Sequence, residues 1–207
     1  SISISYLREA EKTVTMEDYE RDLSDRLLLT MINMRFALEK YKLDTPLINA
    51  SGYKSGWLRS LTEAGFSAEV NPGKAMKALD VMMEYIEGFR THGFTDVERA
   101  EAQSQMLQNL RKAKEEKETR ESRVYINSIM SDLMHDSIYT SYEQDYELAQ
   151  KLLPLITDEE INSRIKYLFE PVNMSVVIQG PPDDMKQIKE EQVLSSVNTV
   201  IKNGGTP

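Results

Sequence analysis

The sequence has no cysteine in 207 residues, which excludes disulfides and thiolate metal sites and leaves the redox compartment open. Histidine is nearly as scarce: His92 and His135 are the two present, far apart in sequence and without the helical spacing of metal ligands. Both read as surface or cap residues. Tryptophan occurs once, and no apolar run approaches the ~20 residues of a membrane span. The opening SISISYLREAE lacks the charged-then-apolar pattern of a signal peptide. It reads as the middle of a strand, which points to a piece of a longer protein. Basic charge is in deficit: 25 Lys and Arg stand against 34 Asp and Glu, for a net charge of −9. That balance argues against nucleic acid and against an anionic membrane surface, since both demand a basic patch. There is no Gly-x-Ser-x-Gly elbow, no Walker phosphate loop and no dinucleotide fingerprint.

What is present is a soluble-type composition, 40% hydrophobic and 29% charged, enough to bury a core. The central stretch, Asn71 to Leu110, holds the clearest pattern. Asn71 can cap a helix and Pro72 suits its first position. Met76, Leu79, Met83 and Ile86 then recur at three- and four-residue steps, with Met82 and Phe89 widening the stripe. Gly93 is a stop signal, and Thr95 with Glu98 spells a capping box for a second helix carrying Val97, Met106, Leu107 and Leu110. The centre is therefore expected to be two long helices joined by a short turn.

In chain order, Ser1 to Leu7 alternates as a half-buried strand. A helix is expected from about Met16 to Tyr41, with Tyr19, Leu23, Leu27, Met31 and Met34 on one face. Leu47 to Trp57 and Leu58 to Val70 read as two strands, turning near Ser55-Gly56, with bulges at the glycines. The charge-dense Arg111 to Arg123 reads as a solvated helix broken near Thr119. Further helices carry Val124, Ile126, Ile129, Met130, Leu133 and Met134, then Ser141 to Leu152, then Thr157 onward behind a second capping box with Glu160. Asn173 to Gln179 is the last clear strand. Residues 183–207 suggest a helix and then a strand, with a frayed NGGTP end. Six of the eleven methionines, Met76, Met82, Met83, Met106, Met130 and Met134, fall on helical stripes and read as core filler. Acidic neighbours such as Glu115-Glu116, Asp158-Glu159 and Asp183-Asp184 diverge on a helix, so they make no acid/base pair. The fold class expected is α+β, a mainly antiparallel sheet with helices packed on one face. The division expected is one domain over 1–182 and a C-terminal extension or linker over 183–207.

The wording of the run AGFSAEVNPGKAMKALDVMMEYIEGFRTHGFTDVERAEAQSQML adds to its periodicity. It resembles the pitrilysin/insulinase/mitochondrial-processing-peptidase family of zinc metallopeptidases, in which a helix leads into Gly-Phe-Thr-x-x-Glu-Arg-x-x-Ala-like wording. Here those positions begin Gly93, Phe94, Thr95, Glu98 and Arg99, with Ala100 following directly. The resemblance extends over Ile2 to Pro181, through many weak matches in order. It implies the sandwich shared by the domains of that family, which sit in pairs around a chamber.

The active domain of that family carries His-x-x-Glu-His on its first long helix. The corresponding helix here, DYERDLSDRLLLTMINMRFALEK, has no histidine. The resemblance therefore implies a non-catalytic domain, with no catalytic residue, no metal ligand and no cofactor of its own, and zinc held by the catalytic domain of the parent chain. Its expected partners are that zinc-binding domain and a peptide substrate, and its expected location is periplasmic or exported. A structural scaffold of the same fold is the alternative. For peptide contact the expectation is a Ser/Gly-rich edge strand at Ala50, Ser51, Gly52 and Tyr53, to which an extended peptide would add by main-chain hydrogen bonds.

Overall fold

The computed structural model describes residues 1–119 and 121–205. A four-stranded antiparallel sheet is built from β1 (Ile2–Glu9), β2 (Leu47–Leu58), β3 (Leu61–Val70) and β4 (Met174–Ile178), in the order β2-β3-β1-β4. Alternation decides its two faces. Ile2, Ile4 and Tyr6 of β1 and Ala64, Phe66 and Ala68 of β3 are buried, and the register sets Ile4 opposite Phe66. Met174, Val176 and Ile178 of β4 pack against the same core. The intervening Ser3, Ser5, Ser51 and Ser67 lie on the other face, partly exposed, where Ser51 and Ser67 meet at 3.3 Å.

The helices supply the second layer. Helix α1 (Met16–Glu39) buries Leu23, Leu27, Leu28, Met31 and Ile32. Helix α2 (Ala75–His92) buries Leu79, Met82, Met83, Ile86 and Phe89, and α3 (Asp96–Glu115) buries Ala102 and Met106. After a 3-10 turn at Lys117–Thr119 come α4 (Ser122–Met134), α5 (Tyr142–Leu152) and α6 (Asp158–Phe169), the last burying Ile161, Ile165, Leu168 and Phe169. Phe66 is the hub between the layers. Its ring centroid lies 4.6 Å from that of Phe169, 6.1 Å from Phe36 and 6.4 Å from both Tyr6 and Phe89. The architecture is the expected α+β arrangement.

Local signals set the helix starts. Thr15 with Asp18, Thr95 with Glu98 and Thr157 with Glu160 all form reciprocal capping boxes. Gly93 ends α2 at φ 65°, a conformation cheap only for glycine.

Several expectations are corrected. Asn71 and Pro72 do not open α2. They lie in a turn closed by Lys74 N–H donating to the Asn71 carbonyl at 3.1 Å, with Gly73 at φ 72°. Pro followed by a positive-φ Gly is type II turn chemistry, so the helix starts three residues later than the Asn-Pro signal implies. The β2–β3 turn is at Arg59-Ser60, not Ser55-Gly56; β2 runs through Gly56, with a register shift between Gly56 and Leu58. Residues 183–203 hold no strand. They form α7 (Pro182–Met185) and α8 (Glu190–Asn203), and α8 buries Val197, with Val193, Val200 and Ile201 packed against the core. Thr206 and Pro207 of the expected frayed end lie outside the described residues. Met130 and Met134 are not core filler: they are 52% and 63% exposed on α4.

Candidate functional site

The four residues expected to meet a peptide all lie on β2, which is an outer strand of the sheet. Antiparallel pairing turns the backbone groups of alternate residues outward. Gly52 points its groups away from β3, because both are taken by the Asn33 side chain of α1. The Gly52 N–H donates to Asn33 Oδ1 at 2.8 Å, and Asn33 Nδ2 donates to the Gly52 carbonyl at 3.3 Å. The side-chain amide thus occupies the position that one residue of an added strand would take. Ala50 and Lys54, two residues to either side, share the outward orientation. Ser51 and Tyr53 turn their backbone groups towards β3, and the Tyr53 hydroxyl donates to Glu63 at 2.8 Å. Asn33 carries no signal in the sequence that would have drawn attention to it.

Gly52 is required by this arrangement. A Cβ there would come 2.9 Å from Ile32 Cγ2, so its absence lets α1 approach β2 closely enough for Asn33 to reach.

Beside the same strand lies α1, the helix at which the sequence resemblance leads us to expect, and not to find, the zinc motif. Here it carries Asp22, Asp25 and Arg26. Asp25 is 1% exposed, and its carboxylate is filled: Arg164 of α6 donates from Nε at 2.6 Å and from a terminal nitrogen at 2.9 Å, and Lys54 of β2 donates at 2.6 Å. Arg164 also holds Glu11 through two bonds, at 3.0 and 2.5 Å. Burial alone would lower the Arg164 pKa. The Asp25 and Glu11 carboxylates outweigh it and hold the guanidinium above its ordinary value. This network joins α1, β2, α6 and the segment after β1 into one unit. Three hydrogen bonds from two cations engage both oxygens of Asp25, so its charge is already neutralised within the protein.

A polar cleft of about 340 Å³ opens between α1, β2 and α4, lined by Asp22, Arg26 and Lys54 on one side and by Asp132, His135 and Asp145 on the other. Burial, together with the Asp145 and Asp22 carboxylates, raises the Asp132 pKa against the opposing His135. Burial and then Asp145, whose carboxylate accepts from the Tyr19 hydroxyl at 2.9 Å, raise that of Tyr19. His135 is held on its own helix, with Nδ1 2.7 Å from the Ser131 carbonyl, and its ring lies where a side chain on Gly56 would stand. His92 sits on a different element, with Nε2 3.1 Å from the Gly205 carbonyl. Among the described residues, no group of three His, Asp or Glu side chains is placed to hold a metal ion. Zinc therefore does not fit the donor set of the described residues.

No protein-family model matches the sequence, and no curated protein matches it significantly. Solved structures do match. The periplasmic protease PqqL from Escherichia coli superposes over 97% of this chain at a TM-score of 0.86 and 14% identity. A structure described as a predicted insulinase family protease from Yersinia pestis covers the same share at 0.77 and 11% identity. The fold is that of an insulinase-type peptidase domain. A third match is the inactive peptidase domain of a provisionally named zinc protease from Bordetella parapertussis, with a TM-score of 0.58, 14% identity and 87% of this chain covered. The insulinase-type fold here spans 22% of PqqL and 44% of the Yersinia chain, whereas it fills 92% of the Bordetella domain. No helix among the described residues is long and apolar enough to cross a membrane.

Proposed function

We propose that this chain is a non-catalytic domain of a multidomain zinc metallopeptidase. It packs beside the zinc-binding domain, forms part of the chamber wall and helps to hold an extended peptide substrate. The observation that carries the reading is α1: on an insulinase-type fold, the helix expected to hold zinc instead directs Asp25 into Arg164 and Lys54. The zinc belongs to the catalytic domain of the parent, and the likeness to a periplasmic protease supports a location outside the cytoplasm. Peptide holding uses the outward backbone groups of β2 at Ala50 and Lys54, with Asn33 as the competing occupant at Gly52.

The test is zinc content and peptide cleavage, measured on this chain alone and then in the presence of the segment encoded upstream. The expected result is no zinc and no cleavage alone, with cleavage in the mixture. Stoichiometric zinc in the isolated chain overturns the reading. Absence of cleavage in both samples transfers the assignment to a structural scaffold of the same fold.

A further inference from the structure

The charges around the polar cleft are unevenly matched. On the wall made by α1 and β2, each cation already meets a carboxylate. Lys54 lies 2.6 Å from Asp25 and 3.8 Å from Asp22, and Arg26 lies 4.0 Å from Asp22. On the facing wall stand Asp132 of α4 and Asp145 of α5, which form no ion pair among the described residues. Asp145 accepts from the Tyr19 hydroxyl at 2.9 Å and the Thr140 hydroxyl at 2.6 Å, both at Oδ1, which leaves Oδ2 unengaged. The Asp132 carboxylate accepts no hydrogen bond among the described residues. Burial and then the Asp145 and Asp22 carboxylates raise its pKa, with His135 opposing, as expected for a negative charge left uncompensated.

A second feature points into the same space. Thr62 of β3 is 8% exposed and lines the cleft, and its hydroxyl has no hydrogen-bond partner among the described residues. A buried hydroxyl left without a partner is unfavourable unless something outside the protein supplies one. The register pairs Thr62 with Gly56 of β2, so the hydroxyl stands one strand in from the sheet edge. Lys54 faces the helix layer, where it meets Asp25, and alternation puts position 56 on the same face. A residue of an added strand set opposite Lys54 or Gly56 would turn its side chain to that face too, the one on which the cleft opens. At about 340 Å³ the cleft is near the lower end of the roughly 300–1,000 Å³ of ligand pockets, room for one side chain and not for a folded partner.

We infer that the cleft is a subsite for one basic side chain, arginine ahead of lysine, of the extended peptide held along β2. The guanidinium would lie between Asp132 and Asp145 and donate to their unengaged oxygens, with the Thr62 hydroxyl accepting a further bond. Several separated acceptors suit the five N–H donors of arginine better than the compact charge of lysine. An acidic side chain would meet two carboxylates of its own sign, and an apolar one would desolvate them without compensation. The net charge of −9 favours a basic partner over the whole surface as well. The inference rests on the peptide-holding reading above, and it names the residue class which that reading would favour.

Fluorescence anisotropy with three labelled probes tests it on this chain. The probes are a short Ser/Val peptide with one central arginine, the same peptide with citrulline in that place, and arginine amide. Citrulline keeps the shape of arginine and loses its charge. The arginine peptide should bind about tenfold or more tightly than the citrulline peptide. Asp132→Asn should erase that difference and leave citrulline-peptide binding and the melting temperature unchanged, since the Asp132 carboxylate holds nothing in the fold. Thr62→Val, which removes the hydroxyl and keeps the shape, should weaken the arginine peptide by a smaller factor. Equal binding of the two peptides, or none by either, overturns the inference. So does an arginine preference that survives Asp132→Asn. Arginine amide binding as tightly as the arginine peptide overturns the assignment to a peptide and gives the cleft to a free cation. Binding is read without zinc or the upstream segment. A parent that cleaves nothing would therefore sink the functional reading and leave this one standing, whereas peptide binding without charge preference would do the reverse.

Discussion

Asn33 and Gly52 exchange two hydrogen bonds across the gap between α1 and the sheet edge, so a side-chain amide performs the pairing that an added strand would perform. Exposed edges invite unwanted pairing, and this is a local means of blocking one. Asn33→Ala should cost about 1–2 kcal/mol of stability, because it removes two partly buried hydrogen bonds. It should also tighten binding of an extended peptide, or increase self-association of the chain. Thermal unfolding and sedimentation of the variant check both. Unchanged peptide binding and unchanged association would show that β2 is not an accepting edge.

Gly52→Ala tests the spacing that allows this contact. The new methyl meets Ile32 Cγ2 at 2.9 Å, so α1 must move away from β2. A loss of about 1–3 kcal/mol is expected from overpacking. Amide exchange at position 52 should accelerate as Asn33 is drawn out of reach.

The ion network around Asp25 predicts an asymmetry between two substitutions. Arg164→Ala leaves a carboxylate that is 1% exposed with Lys54 as its remaining close cation, and should cost about 3–5 kcal/mol. A double variant, Asp25→Leu with Arg164→Met, removes both buried charges together and should recover much of that loss. Chemical denaturation of the three proteins decides the matter. Equal destabilisation by the single and double changes would refute the account of the network as a structural unit.

Glu98 predicts a pH dependence. Its carboxylate accepts from Arg35 at 2.5 and 2.9 Å and from the Thr95 N–H at 2.8 Å, and Arg35 lies over the Phe94 ring at 4.6 Å. The Arg35 hydrogen bonds, ahead of the opposing effect of burial, lower its pKa from 4.5 to about 2. A depressed carboxylate stabilises the fold above its unfolded pKa. That contribution should therefore be complete above about pH 5 and be lost as pH falls towards about 2. Glu98→Gln should lose roughly 2 kcal/mol at neutral pH and show a shallower acid slope over that window. An unaltered slope in urea melts between pH 2 and 5 would remove Glu98 from the argument.

The sequence by itself determined the parts that rest on local chemistry. Capping boxes at Thr95 and Thr157, the Gly93 stop, the alternation of Ile2, Ile4 and Tyr6 and the stripe from Leu79 to Phe89 are each written in a few neighbouring residues. Such signals need no knowledge of what packs where. The absence of a His-x-x-Glu-His helix was equally legible, being a matter of residue type. Tertiary structure decided the rest. Gly52 carries a weak-strand signal in sequence, yet only the approach of α1 reveals that Asn33 occupies its backbone. Asp25 and Arg164 are distant in the chain, and nothing in either neighbourhood announces a buried pair. Met130 and Met134 fall on a helical apolar stripe as Met82 and Met83 do, and periodicity assigns all four to one stripe type. Periodicity identifies an apolar face; it does not say which way that face points. On α4 that face points to water, and Met130 and Met134 with it.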